Sequence, residues 1–119
     1  MQPNVLISQD LSCMGQVSLS VALPLLGACG LSPSVLPTAL LSTHTGGFEA
    51  NTYLDLADEM TAILQHWQTL DTKFDAVYLG YLGKKPLEVL LQQLACVCTP
   101  DCLYLIDPAM ADHGKLSIE

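Results

Sequence analysis

Short apolar runs that alternate with helix-period segments constrain this chain more than any other feature. Asn4-Val5-Leu6-Ile7-Ser8, Ser34-Val35-Leu36-Pro37, Phe74 with Ala76-Val77-Tyr78-Leu79, and Leu103-Tyr104-Leu105-Ile106 each read as a strand. Between the first two, Val17, Val21, Ala22, Leu25, Leu26 and Ala28 recur at helical spacing, with Gly30 as a stop. Pro24 inside that helix should kink it or leave a carbonyl unpaired. Leu56, Met60, Ile63, Leu64 and Trp67 form one face of the clearest helix, with Asp55, Asp58 and Glu59 suited to its first turns. Pro86 starts a third helix that carries Leu87, Leu90, Leu91 and Leu94. Strands apolar on both faces and joined by helices predict an α/β fold with a parallel sheet wrapped by right-handed crossovers.

In such a sheet ligands bind at the carboxyl edge. Four polar clusters are expected there, each after a strand: Asp10 to Gly15 as a polar turn, Ser42 to Gly47, Gly80 to Gly83, and Asp107 to Gly114. The stretch Leu36 to Phe48 is the densest, since an apolar run turns there into hydroxyls, one imidazole and two glycines. An ordinary Ser/Thr/Gly-rich connection would look the same.

The chemistry open to these loops is varied. Asp107 and Asp112, with Gly114-Lys115 behind them, carry oxygen ligands suited to magnesium and a polyphosphate; Asp107 also reads as a simple turn cap before Pro108. Ser42, His44 and Asp10 contain the residue types of a hydrolase triad, but no G-x-S-x-G surrounds a serine. Neither G-x-x-x-x-G-K-[ST] nor G-x-G-x-x-G occurs, which argues against a P-loop or dinucleotide site.

Composition narrows the partners. The 119 residues suit one compact domain, and 50% are hydrophobic with only 13% charged, so the chain is not of disordered type. Four Lys+Arg against twelve Asp+Glu give a net charge of −8, which disfavours nucleic acid and anionic membrane as partners. No apolar run reaches the roughly 18 residues of a membrane span. Cys13, Cys29, Cys96, Cys98 and Cys102 are an odd number without a paired framework, read as reduced thiols in the cytoplasm. Cys96-x-Cys98-x3-Cys102 has the look of a metal knuckle, yet no second pair follows, and buried or half-buried structural cysteines are the expectation.

Taken in order, S-Q-D-L-S-x-x-G (8 to 15), L-P-T-A-L-L-S-T-H-T-G-G-F (36 to 48), G-Y-L-G (80 to 83) and D-P-A-M-A-D-H-G-K (107 to 115) closely resemble the pyridoxal/pyridoxamine kinases of the ribokinase-like superfamily. The resemblance implies a three-layer fold with a mostly parallel sheet, of which residues 1–119 form the amino-terminal part of one domain. It implies transfer of the ATP γ-phosphate to the 5′-hydroxymethyl of pyridoxal, pyridoxamine or pyridoxine, with Mg2+, a monovalent cation as a further candidate, and a cytoplasmic homodimer. Asp10, His44, Thr45 and Tyr81 fall at substrate-contacting positions of that family, Asp107 and Asp112 at its metal positions, and Asp112 also at magnesium-ATP. Ala111 replaces the family's usual glycine, a change that would strain a turn needing positive φ. The family's G-x-G-D motif, which carries the base aspartate, does not occur in these residues, so no catalytic residue is assigned. A hydroxymethylpyrimidine kinase of the same superfamily and a non-catalytic vitamer- or partner-binding chain are the alternatives.

Overall fold

The computed structural model describes residues 3–14, 19–43, 50–80, 82–106, 111–112 and 115–116. Its main sheet is built from β1 (Val5–Ser8), β3 (Ser34–Val35), β6 (Phe74–Leu79) and β7 (Cys98–Ile106), all parallel, in the order β3-β1-β6-β7. A smaller sheet is built from β2 (Leu11–Met14), β4 (Ala39–Thr43) and β5 (Tyr53–Asp55), in the order β2-β4-β5. Helix α1 (Leu19–Ala28) follows β2, α2 (Ala57–Gln68) follows β5, and α3 (Lys84–Gln93) runs into a 3₁₀ turn at Leu94–Val97. The short strands β8 (Ala111–Asp112) and β9 (Lys115–Leu116) pair with one another.

Side-chain alternation sends successive residues of β1 and β6 to opposite faces of the sheet. Leu6 and Val77 enter the larger core with Leu36, Met60 and Leu64, closed by Leu90, Leu94 and Val97. That core lies under α2 and α3, and the Trp67 and Phe74 rings meet in it at 5.6 Å with a 59° tilt. Ile7 and Tyr78 point the other way, where Leu26 of α1 packs with Val35. Helices on both faces make three layers, as the alternation of periods predicts.

Local signals set the helix ends. The Asp55 carboxylate accepts the Ala57 amide at 2.7 Å, while Asp58 and Glu59 place negative charge in the first turn of α2. Gly83 precedes α3, and Pro86 lies buried in its first turn, where a missing N–H costs nothing. Gly30, at φ 82°, ends α1 with its amide on the Gly27 carbonyl at 3.0 Å, and Pro24 stands inside that helix. Among the described residues no helix is long and apolar enough to cross a membrane.

The structure corrects the strand reading in several places. The expected polar turn after β1 contains strand β2, and the stretch after β3 forms β4 and then β5, so Ser42 and Thr43, read as the start of a loop, belong to a strand of the small sheet. Strand β7 begins at Cys98, five residues earlier than the apolar run at Leu103 suggests. Leu103, Tyr104, Leu105 and Ile106 are exposed rather than buried on both faces, because β7 is an edge strand. Cys98 and Cys102 are half-buried as expected, whereas Cys13, Cys29 and Cys96 are exposed; all five are free thiols.

Candidate functional site

The two sheets meet where β1 and β3 run out. The Leu36 amide donates to the Ile7 carbonyl at 2.8 Å, and the Thr38 amide to the Gln9 carbonyl at 3.1 Å, so the pairing of β1 with β3 carries on into that of β2 with β4. The fully buried Ser8 hydroxyl donates to the Leu36 carbonyl at 3.0 Å and tightens the junction. On the other side of β1 the Gly80 amide donates to the Ser8 carbonyl at 3.0 Å. A Cβ at Gly80 would stand 2.5 Å from Cγ of Gln9, a side chain that is itself buried. Gly80 is therefore required by close approach.

Strand period gives the small sheet two unlike faces. Leu11, Leu40 and Leu54 stand in register across three strands and are exposed. Ser12, Leu41 and Thr43 face the opposite way, and Ser12 and Leu41 are buried. Tyr53, opposite Leu41, points to this inner side, and a Cβ built on Gly83 would lie 3.5 Å from its hydroxyl. The inner face of the small sheet thus looks toward the connection between β6 and α3. At the tip, the Thr52 amide donates to the Ser42 hydroxyl at 2.9 Å and the Ser42 amide to the Thr52 carbonyl at 3.3 Å, which ties off the connection from β4 to β5.

Asp10 sits between β1 and β2 at this junction. Its Oδ1 is buried with no hydrogen-bond partner among the described residues, and the same holds for the hydroxyl of Thr43 at the end of β4. Buried polar atoms are nearly always satisfied, so orphans of this kind mark a place for a polar group that the described residues do not provide. Asp10 was legible from the sequence. Thr43 was passed over in favour of its neighbours in the same S-T-H-T run; its signal was the register of β4, which only pairing reveals.

His44, Thr45, Tyr81 and Asp107 lie outside the described residues, so only their flanks are placed. Thr43 ends β4, Gly80 and Leu82 bracket residue 81, and Ile106 ends β7. The strands that precede Tyr81 and Asp107, β6 and β7, end at the carboxyl edge of the parallel sheet, the edge at which Asp10 follows β1. Asp112 lies on β8, paired with Lys115 in register, and Ala111 shares that extended strand, a conformation that any residue adopts. The strain anticipated for alanine at a positive-φ position does not arise. No group of three or more metal-ligating side chains gathers among the described residues.

No family model matches the chain, and no curated protein does. Solved structures do. A protein of Bacteroides thetaiotaomicron, provisionally named a phosphomethylpyrimidine kinase and crystallised with pyridoxal, superposes with TM-score 0.84 at 38% identity, over 97% of this chain and 41% of its own. A pyridoxal kinase of Lactobacillus plantarum superposes with TM-score 0.86 at 33% identity, over 98% of this chain and 41% of its own. A phosphomethylpyrimidine kinase of Clostridium difficile shares the fold at TM-score 0.77 with 17% identity. The chain thus spans about two fifths of the length of the first two proteins.

Proposed function

From a chain that belongs with the pyridoxal and phosphomethylpyrimidine kinases of ribokinase-like fold, we propose that these residues form the vitamer-binding part of a pyridoxal kinase. The observation that carries the reading is the buried carboxylate oxygen of Asp10 at the carboxyl end of β1, which has no hydrogen-bond partner among the described residues. A pyridine ring bearing hydroxyl and hydroxymethyl groups supplies the donors that such an oxygen and the Thr43 hydroxyl lack. Support also comes from the protein of Bacteroides thetaiotaomicron, at 38% identity, which was crystallised with pyridoxal.

In this reading Asp10 and Thr43 orient the vitamer, with His44, Thr45 and Tyr81 completing its pocket from the adjoining loops. Asp107 and Asp112 would hold Mg2+ and magnesium-ATP, with a monovalent cation as a further candidate. Two carboxylates on one connection are the ligand type a hard cation takes, and magnesium would neutralise charge developing on the transferred phosphoryl group. No G-x-G-D segment occurs in the sequence, so a proton acceptor for the hydroxymethyl group is not assigned to these residues. The open apolar edge at β7 would be covered by the remainder of a kinase-length polypeptide. The exposed row Leu11, Leu40 and Leu54 suits association of two copies.

The second reading, hydroxymethylpyrimidine as substrate, is favoured by the names of two of the matched structures. Calorimetric titration of the chain with pyridoxal and with hydroxymethylpyrimidine separates them. The expected outcome is tighter pyridoxal binding that weakens in Asp10→Ala by about 2 kcal/mol, roughly thirtyfold in Kd. Tighter binding of the pyrimidine would transfer the assignment to the second reading. Pyridoxal affinity untouched by Asp10→Ala would remove Asp10 from the site.

A further inference from the structure

Strand β7 pairs with β6 in two stretches that do not share one register. Phe74 stands opposite Cys98 and Ala76 opposite Leu103, so five steps along β7 are matched to two along β6. Five extended steps would cover roughly 16 Å, and two cover roughly 7 Å. The surplus bows outward through Thr99, Pro100 and Asp101, the last two exposed, as a bulge with proline at its crest. Its feet are Cys98 and Leu103, and the thiols at its two ends are those of Cys98 and Cys102, the residue just before the second foot. Both side chains are half-buried, both pack against the main core, and both are free thiols.

We propose that Cys98 and Cys102 are a modification site, a dithiol that closes to an intramolecular disulfide when it meets a hydroperoxide. The bulge does what an extended strand cannot, since a disulfide requires Cα atoms within about 7 Å. The two side chains already interact, and the Tyr104 side chain joins them. Burial, followed by the hydrogen bond to Cys98, pushes the Cys102 thiol up to about 11. The hydrogen bond to Cys98, followed by burial, pushes the Tyr104 hydroxyl up to about 12. Cys102 therefore keeps its proton at neutral pH, with its thiol also directed at the Leu103 carbonyl 3.7 Å away.

These surroundings assign the order of events. The Cys98 sulfur takes an oxygen from the hydroperoxide as the O–O bond breaks, giving a sulfenic acid and releasing water or the corresponding alcohol. The Cys102 sulfur then attacks that sulfur, the S–O bond breaks, and the oxygen leaves as water with the Cys102 proton. Two thiols are oxidised and one peroxide is reduced. Cys96 is excluded as a partner by placement: it is exposed on the 3₁₀ turn, where its carbonyl accepts the Lys73 ammonium at 2.6 Å.

The test is peptide mapping by mass spectrometry of the 119-residue chain after hydrogen peroxide, with blocking of remaining thiols. The expected result is a peptide joined Cys98 to Cys102, released by dithiothreitol and still formed when Cys13, Cys29 and Cys96 are all replaced by serine. In Cys102→Ser the disulfide is lost and a dimedone adduct accumulates at Cys98. Cys98 and Cys102 both recovered as free thiols while exposed Cys96 is oxidised would overturn the proposal. A bond from either of them to Cys96, or an adduct that accumulates on Cys102 in Cys98→Ser, would overturn it equally.

Discussion

Strand β1 and the Leu103–Ile106 end of β7 belong to one parallel sheet and are both nearly continuous in apolar character, yet their environments are opposite. In β1, Leu6 and Ile7 are fully buried, because β3 and β6 flank it and helices cover both of its faces. In β7, Leu103 is 68% exposed, Leu105 58% and Ile106 60%. The difference teaches that an apolar run shows what a strand is suited to, while its neighbours decide what it gains. Of these two strands, only β1 gains from hydrophobic burial along its apolar run.

The comparison breaks most readily by truncation. Leu6→Ala should cost about 2–5 kcal/mol in denaturant unfolding, the range for a buried leucine whose cavity cannot collapse. Leu105→Ala should stay within about 0.5 kcal/mol, as exposed positions do. Comparable losses at both would mean that β7 is covered in solution. The packing around β1 is sharpened next by Gly80→Ala, which presses a methyl into buried Gln9 and should cost about 1–3 kcal/mol in thermal or chemical unfolding. A neutral result would show that Gln9 has room to move.

Smaller effects are expected at the edge. Replacing Leu103 and Leu105 together by lysine should leave stability within about 0.5 kcal/mol and reduce self-association in sedimentation, because charge discourages pairing at an open strand. Unchanged association would direct attention to the leucine row of the small sheet. The smallest effect is alkaline. Above pH 9.0 the unfolded chain loses the Cys102 proton, while the folded chain keeps it until about 11, and Tyr104 behaves likewise between 10.0 and about 12. The stability from these groups is thus full below pH 9 and is lost as pH rises through 11 to 12. Tyr104→Phe should flatten that decline in stability measured against pH.

Much of the site was legible because its residues cluster in short polar runs after apolar ones. Asp10 was found that way, and that its buried oxygen has no partner among the described residues is a property that the sequence could only suggest. Thr43 and the close contact of Gly80 with Gln9 were hidden, since each depends on a strand pairing or an approach between segments far apart in the chain. The apolar face of α2, from Met60 to Trp67, needed no such context. Its spacing repeats within four residues, and the residues it buries are those the spacing selects.

By itself the sequence determined the alternation of periods, the face of α2, the glycine stop of α1 and the parallel character of the main sheet; on α3 and the turn that ends it, it selected Leu90 and Leu94 rightly, but Leu91, read onto the same face, is 77% exposed. These are local properties, set by dihedral preference, side-chain spacing and turn chemistry over a few residues. Only the tertiary structure decided that residues 11–14, 39–43 and 53–55 make a second sheet, that the run from Cys98 to Leu103 bows out against β6, and that β7 stays exposed while β1 is enclosed. A strand has no hydrogen-bond partner within itself. Its existence, register and burial are settled by whichever distant segment comes to lie beside it.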